Sequence, residues 1–290
     1  MRVPKRRAAK PSLIRGRSSQ TAIRGVFSRP PDSGATLANE LKADAADVLE
    51  RVRARTPRVH CITNVVAQNF SANILLALGA IPSMTIAPDE IGAFVTRADA
   101  LLVNLGTFDA ERRAAAKTAI ASMTGAERPW VLDPVFIDRS KPRSTFAKAL
   151  IDRRPQVVRL NRSEFAALAG AAWNERGLRA YALETGAVLG VTGETDLVTD
   201  GERFARIANG HPLMAKVTAM GCAESAVVAA CLAVEPDAWR ATVAALTLFG
   251  VAGEIAGARA TGPGSFAAAI LDAIFALDRD VLIGEARVAC

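Results

Sequence analysis

Between residues 35 and 232, short apolar runs alternate with longer segments whose apolar residues recur at helical spacing, and that order admits few folds. The runs Val59–Ile62, Ile81–Ile86, Ala100–Leu105, Trp130–Leu132, Val157–Leu160 and Ala187–Val191 read as strands. Stripes such as Leu37, Leu41, Ala45, Val48, Leu49 and Val52, or Phe70, Ile74, Leu75 and Leu78, read as helices. Thr63-Asn64 is suited to cap the second of these, and Gly79 to stop it. Pro88-Asp89-Glu90 reads as the acidic first turn of a further helix. The repeated order predicts one α/β domain with a largely parallel central sheet, helices on both faces and right-handed crossovers. A chain that is half hydrophobic but only 5% aromatic suits helices packed on such a sheet. Asp200-Gly201 between two short apolar runs predicts a hairpin, and from Gly221 onward the spacing is helical.

In open sheets of this kind ligands bind at the carboxyl ends of the strands. The polar clusters fall there: Thr63-Asn64, Asn104 to Thr107, Asp133, Asn161 to Glu164, and Thr192 to Glu194. Turn chemistry explains any one of them; five at one edge point to a site. Neither G-x-x-x-x-G-K-[ST] nor G-x-G-x-x-G occurs, which argues against P-loop and dinucleotide-binding chemistry.

The stretch Asn209 to Cys231 starts as a polar loop, narrows to Gly221-Cys222 and continues as an apolar helix. The free N–H groups and positive dipole end of that helix form a ready anion site. A thiol there is expected to have a lowered pKa. The competing explanation is a small-residue helix start chosen for close packing.

The net charge of +7 belongs to one end of the chain. Residues 1–31 carry nine Lys/Arg and no acid, which leaves 27 basic against 29 acidic groups, a net of −2. The basic character therefore does not indicate a nucleic-acid-binding domain. Residues 1–35 read as a basic, disordered leader and 36–290 as a single domain. The leader lacks the apolar core of a secretory signal. No uninterrupted apolar run reaches the ~18–20 residues of a membrane span. Cys61, Cys222, Cys231 and Cys290 have no paired spacing, so reduced cysteines and a cytoplasmic location are expected. Only His60 and His211 are available for imidazole chemistry, and both read as structural.

Together, several segments resemble the hydroxyethylthiazole kinase family of the ribokinase-like superfamily. They are Val59-His-Cys-Ile-Thr-Asn64, Ala77-Leu-Gly-Ala80 through Met84, Leu132-Asp-Pro-Val135, and Val158-Arg-Leu-Asn161 with Glu164. Val191-Thr-Gly-Glu194, Asn209-Gly-His-Pro-Leu-Met214, Lys216-Val-Thr218, Gly221-Cys222 and Gly262-Pro-Gly-Ser-Phe266 complete the set. The resemblance runs from about residue 37 to 280 in order.

It implies a ribokinase-like fold and Mg²⁺-dependent transfer of the ATP γ-phosphoryl group to the side-chain alcohol of a thiazole in thiamine salvage. It further implies a homotrimer with sites between subunits. Cys222 is then the catalytic residue beside the substrate hydroxyl. Met84, Ala219 and Asn64 bind the thiazole alcohol; Arg143, Thr192 and Gly221 bind ATP; Glu164 organises Mg²⁺. Read without the resemblance, Glu164 is a first-turn acid or a capping partner of Ser163. Two departures stand out. Ala219-Met220 replaces the family's Gly-Thr before Gly-Cys, which costs on the order of 1 kcal/mol if the first position needs a positive φ. Phe136-Ile-Asp-Arg-Ser140 replaces small residues after Asp133-Pro-Val135. These departures keep two alternatives open, a ribokinase-like kinase of another small alcohol and a catalytically impaired nucleotide- or thiazole-binding homologue.

Overall fold

The computed structural model describes residues 33–290 other than 171 and 172. The leader lies outside the described residues up to Asp32, while Ser33 to Ala35 already belong to the first helix.

Six strands form the parallel part of the sheet: β1 (Arg58–Ile62), β2 (Ile81–Ser83), β3 (Ala100–Asn104), β4 (Trp130–Asp133), β5 (Val157–Asn161) and β6 (Val188–Thr192). Three antiparallel strands follow, β7 (Asp196–Thr199), β8 (Phe204–Ile207) and β9 (Val288–Ala289). The order across the sheet is β2-β1-β3-β4-β5-β6-β7-β8-β9. The expected hairpin is present as β7 and β8, with Thr199 opposite Phe204.

Side chains alternate across the strands, so the central strands feed two cores. Leu102 and Val131 face one, Leu101, Val103 and Leu132 the other. The first core is covered by α1 (Ser33–Arg55), α2 (Gln68–Leu78), α8 (Met220–Leu232), α9 (Ala238–Arg259) and α10 (Pro263–Ala276). Helices α4 (Ala110–Gly125), α5 (Lys141–Ile151), α6 (Arg162–Ala169) and α7 (Glu175–Thr185) cover the second. Both faces are therefore clothed, as the βα order predicts.

Four details differ from the sequence expectation. Strand β2 stops at Ser83 rather than Ile86, as the outermost strand pairing only with β1. Asn64 does not cap α2; Ala67 is the N-cap, and the Asn64 side chain instead accepts from the Ala67 N–H at 2.9 Å, closing the preceding turn. Asp89 and Glu90 precede the short helix α3 (Ile91–Val95) instead of forming its first turn. The C-terminal segment is not all helical: after α11 (Arg279–Glu285) the chain adds β9 to the sheet.

Helix α9 satisfies length and hydropathy criteria for a membrane span although Arg240 and Glu254 interrupt its apolar run. Its long apolar stretch is accounted for by burial, since α1, α8 and α10 pack around it.

Candidate active site

Each strand-end cluster delivers a side chain to one edge. Asn64 follows β1, Asn104 ends β3, Asp133 ends β4, Asn161 ends β5 and Thr192 ends β6. Parallel register levels them: Asn104 stands opposite Asp133, and Asn161 opposite Thr192. The start of α8 faces this edge, packing on β3 and β4.

A buried polar chain runs through the centre. The Asn64 amide donates to Asn104 Oδ1 at 3.1 Å and to the Cys222 sulfur at 3.2 Å. Asn104 in turn donates to Asp133 Oδ2 at 2.7 Å, and the Ser225 hydroxyl donates to the same oxygen at 2.9 Å. Asp133 Oδ1 is buried without a partner among the described residues. Burial, with a smaller push from Glu164, raises the Asp133 carboxyl to about 7 against the pull of Arg159.

The same surroundings act on Cys222. The helix start argues for a lowered thiol pKa, but burial dominates and the Asp133 carboxylate adds to it, pushing the thiol up to about 11. The expected thiolate is therefore replaced by a neutral thiol, a hydrogen-bonding group rather than a base at neutral pH.

Ala219 is the N-cap of α8, with φ +67°. The position thus requires the left-handed backbone that favours glycine. Gly221 meets a different demand: a Cβ there would lie 2.7 Å from Arg159 Nη1. Glycine lets the guanidinium come up against the first turn of the helix. Arg159 is the polar residue inside the otherwise apolar run Val157–Leu160, and it pairs with Glu224 of α8, Nη2 to Oε2 at 2.5 Å and Nε to the same oxygen at 3.1 Å. Both side chains are nearly buried, and Glu224 with Asp133 raises the Arg159 pKa against the effect of burial.

Beside this pair opens a cleft of about 520 Å³, walled by Thr192 to Glu194 on one side and Asn209 to Met214 on the other, with Met220 and Gly221 at its end. The second wall lies directly on α9. A Cβ at Gly250 would fall 2.8 Å from Asn209 Cβ, one at Gly253 2.6 Å from Met214 Sδ, and one at Gly257 would overlap the His211 ring. Glu254 accepts from the Asn209 side chain at 3.0 Å and from the Gly210 N–H at 2.9 Å, and also pairs with Arg287. His211 stacks on Phe266 and its Nδ1 accepts from the Leu213 N–H at 3.2 Å, a structural role. A larger surface hollow of about 800 Å³ lies at the opposite edge of the sheet, against Trp130 and Gln156, and carries none of these groups.

Of the residues singled out by sequence, Asn64 meets Cys222, while Thr192, Gly221 and the neighbouring Ala219 gather at the cleft and helix start. Met84 lies one residue past β2, half-buried against the α2/α8 core. Arg143 lies outside the cleft: its guanidinium donates to the carbonyls of Leu105 and Val135 and sits 5.7 Å from the centre of the Phe108 ring. Glu164 forms a capping box with Asn161, not Ser163. One of its oxygens accepts from the Asn161 N–H at 2.9 Å, the other from the Phe136 N–H at 3.0 Å. From sequence, Glu224 and Ser225 carry no role, Asn104 stands only within a strand-end cluster and Arg159 only within a matched segment; a lone cation inside a buried strand is the available signal for Arg159.

Residues 49–280 match the model of the hydroxyethylthiazole kinase family. The chain belongs to that family. It is 45% identical over 246 residues to a probable hydroxyethylthiazole kinase of Agrobacterium fabrum, a match covering 85% of this chain and 95% of the relative. Among solved structures it is similar to the hydroxyethylthiazole kinase protein of Pyrococcus horikoshii, with 36% identity, a TM-score of 0.80, and coverage of 84% of this chain and 97% of that one. A ribokinase-like superfamily protein of Enterococcus faecalis, 14% identical, superposes with a TM-score of 0.60 over 85% of this chain and 90% of its own. The fold of this family member is thus ribokinase-like, as the resemblance implied.

Proposed function

We propose that the protein transfers the γ-phosphoryl group of ATP to the side-chain alcohol of hydroxyethylthiazole, the kinase reaction of thiamine salvage. The observation that carries this reading is the meeting of the cleft, the amino end of α8 and the Asn64–Cys222 pair at one sheet edge. Phosphoryl transfer passes through a loose transition state, so positioning and charge stabilisation outweigh early deprotonation. In this reading the cleft between Thr192 and His211 receives the nucleotide. The N–H groups of the first turn of α8, including those of Gly221 and Cys222, hold the moving phosphoryl oxygens. Cys222, kept neutral, orients the substrate hydroxyl through its sulfur; the proton stays on the alcohol until the new bond forms and then passes to an oxygen of the transferred phosphoryl group or to water. Asn64 fixes the sulfur, and Met84 borders the thiazole from β2.

Mg²⁺ is part of the reading. The orphaned, buried Asp133 Oδ1 with Glu164 nearby offers hard oxygen donors, although among the described residues no group of three ligating side chains gathers. That donor set suits Mg²⁺, which keeps most of its waters: Asp133 and Glu164 would hold it, and it would neutralise charge on the ATP phosphates. Assembly as a homotrimer with sites between subunits belongs to the same proposal. It is supported by exposed Ile81 and Phe94 at the outer strand and by exposed Val65 and Val66 in the turn after β1. A cytoplasmic setting accords with four free cysteines.

The test is ATP consumption by purified protein with Mg²⁺ and hydroxyethylthiazole, beside Cys222→Ala and a control without thiazole. Thiazole-dependent turnover that the substitution weakens is expected; ATP consumption indifferent to thiazole would refute the reading.

A further inference from the structure

The cleft assigned to ATP has an electrostatic deficit. Its lining holds one cation, Arg159, already paired with Glu224, and two further acids, Glu194 and Asp196. Burial raises the Asp196 carboxyl to about 8, with Glu224 contributing, which removes one negative charge near neutral pH but adds no positive one. Beyond Mg²⁺ and the N–H groups at the start of α8, a triphosphate placed there gains from a cation at the rim.

Arg162 is suited to supply it. It is the first residue of α6, directly after the strand that carries Arg159, and it is exposed. Its guanidinium lies over the Trp173 ring, 5.1 Å from the ring centre, a cation–π contact that holds it in place. It also lies against the Thr192–Glu194 turn: Nε would be 3.6 Å and Nη2 3.8 Å from a Cβ built on Gly193. Among the described residues no acid pairs with it, in contrast to Arg159, Arg179 and Arg203. Trp173 is itself anchored, edge-on to Phe165 at 5.9 Å. An unpaired guanidinium held by an aromatic ring at the mouth of a cation-poor cleft is the arrangement expected of a phosphate clamp.

We propose that Arg162, positioned by its contact with Trp173, binds the polyphosphate of the nucleotide from the rim of the Thr192–Glu194 wall. The proposal rests on the reading that this cleft receives ATP. It assigns Arg162 to nucleotide affinity, with no part in binding the thiazole alcohol.

Calorimetric titration of ADP and of adenosine, both with Mg²⁺, into full-length protein tests it. In Arg162→Ala the Kd for ADP should rise about tenfold, the loss expected for one charge-assisted contact, while adenosine affinity is unchanged. The KM for ATP should rise with the KM for thiazole unmoved. Arg162→Lys should recover part of the loss. Trp173→Leu should weaken ADP less than Arg162→Ala, with melting temperatures confirming that each variant is folded. Unchanged ADP affinity in folded Arg162→Ala, or equal losses for ADP and adenosine, overturns the clamp. Hydrogen exchange on the wild type separates the two levels. Protection by ADP of 192–194 and 220–224 upholds the cleft reading whatever Arg162 does; protection elsewhere overturns both.

Discussion

The side-chain amide of Asn64 donates to the sulfur of Cys222 at 3.2 Å, joining residues 158 positions apart. The bond ties the end of β1 to the first turn of α8 and defines which face of the thiol remains for a substrate. Because the sulfur sits among Asn64, Asn104 and Asp133, its chemistry is set by burial more than by the helix end.

A first prediction follows for its reactivity. With the Cys222 thiol raised to about 11, it is protonated at pH 8. Iodoacetamide at that pH should label exposed Cys290 first and leave Cys222 largely unmodified, with its rate climbing as the pH approaches 11. Peptide mass spectrometry reads this directly. Fast labelling of Cys222 at pH 7 would restore the thiolate and sink the account of a neutral orienting group.

His60 carries a pH dependence of stability. Its Nδ1 meets the Ser83 hydroxyl at 2.8 Å and its Nε2 the Thr85 carbonyl at 3.1 Å, and burial lowers its pKa from 6.5 to about 4. The unfolded chain binds this proton at higher pH than the folded one. Its contribution is therefore intact above 6.5 and is lost as pH falls toward 4, by at most on the order of 3 kcal/mol. The unfolding free-energy difference between wild type and His60→Gln, from urea titrations at pH 7 and 4.5, should shrink at the lower pH. A difference independent of pH would rule out His60 as its source.

Ala219 offers a stabilising change. At φ +67° an alanine bears strain that glycine does not, so Ala219→Gly should add about 1 kcal/mol and raise Tm by about 2–4 °C. Joined to Met220→Thr it should also raise kcat. A fall in Tm would mean that the α8 entry relaxes away from this backbone.

Glu164 separates two roles by one substitution. Its oxygens accept N–H groups of Asn161 and Phe136, so Glu164→Gln turns an amide NH₂ toward one of those donors and should cost about 1–3 kcal/mol without any metal. If it also organises Mg²⁺, the Mg²⁺ concentration for half-maximal turnover should rise. Thermal unfolding in chelator measures the first effect and a Mg²⁺ titration of activity the second; a variant normal in both leaves Glu164 neither role.

The sheet, its edge and the helix start at Cys222 were legible because they rest on local signals: period-two and period-3.6 patterns, and polar residues where apolar runs stop. The left-handed backbone at Ala219 was legible as a consequence of what stands there in relatives. What escaped depends on distance in space. Arg159 reads as a stray charge until Glu224, 65 positions on, is brought to it. Arg143 falls in a plausible register but folds back onto the carbonyls of Leu105 and Val135. The thiol pKa was misjudged because a helix end is visible in a sequence whereas the burial that overrides it is not. Strand β9 is two residues long and exists only through its pairing with β8.

The glycines at 250, 253 and 257 have a mechanical consequence. They let the Asn209–Met214 loop rest on α9 without intervening side chains, and Glu254 bolts it there. That wall moves only if the central helix moves. The opposite wall, the exposed turn Gly193-Glu194, rests instead on the Arg162 guanidinium and on one bond from the Gly193 N–H to Asp196 Oδ1 at 2.9 Å. The helix-backed wall is therefore the anvil of the cleft, and adjustment to a bound nucleotide is expected in the exposed turn that faces it.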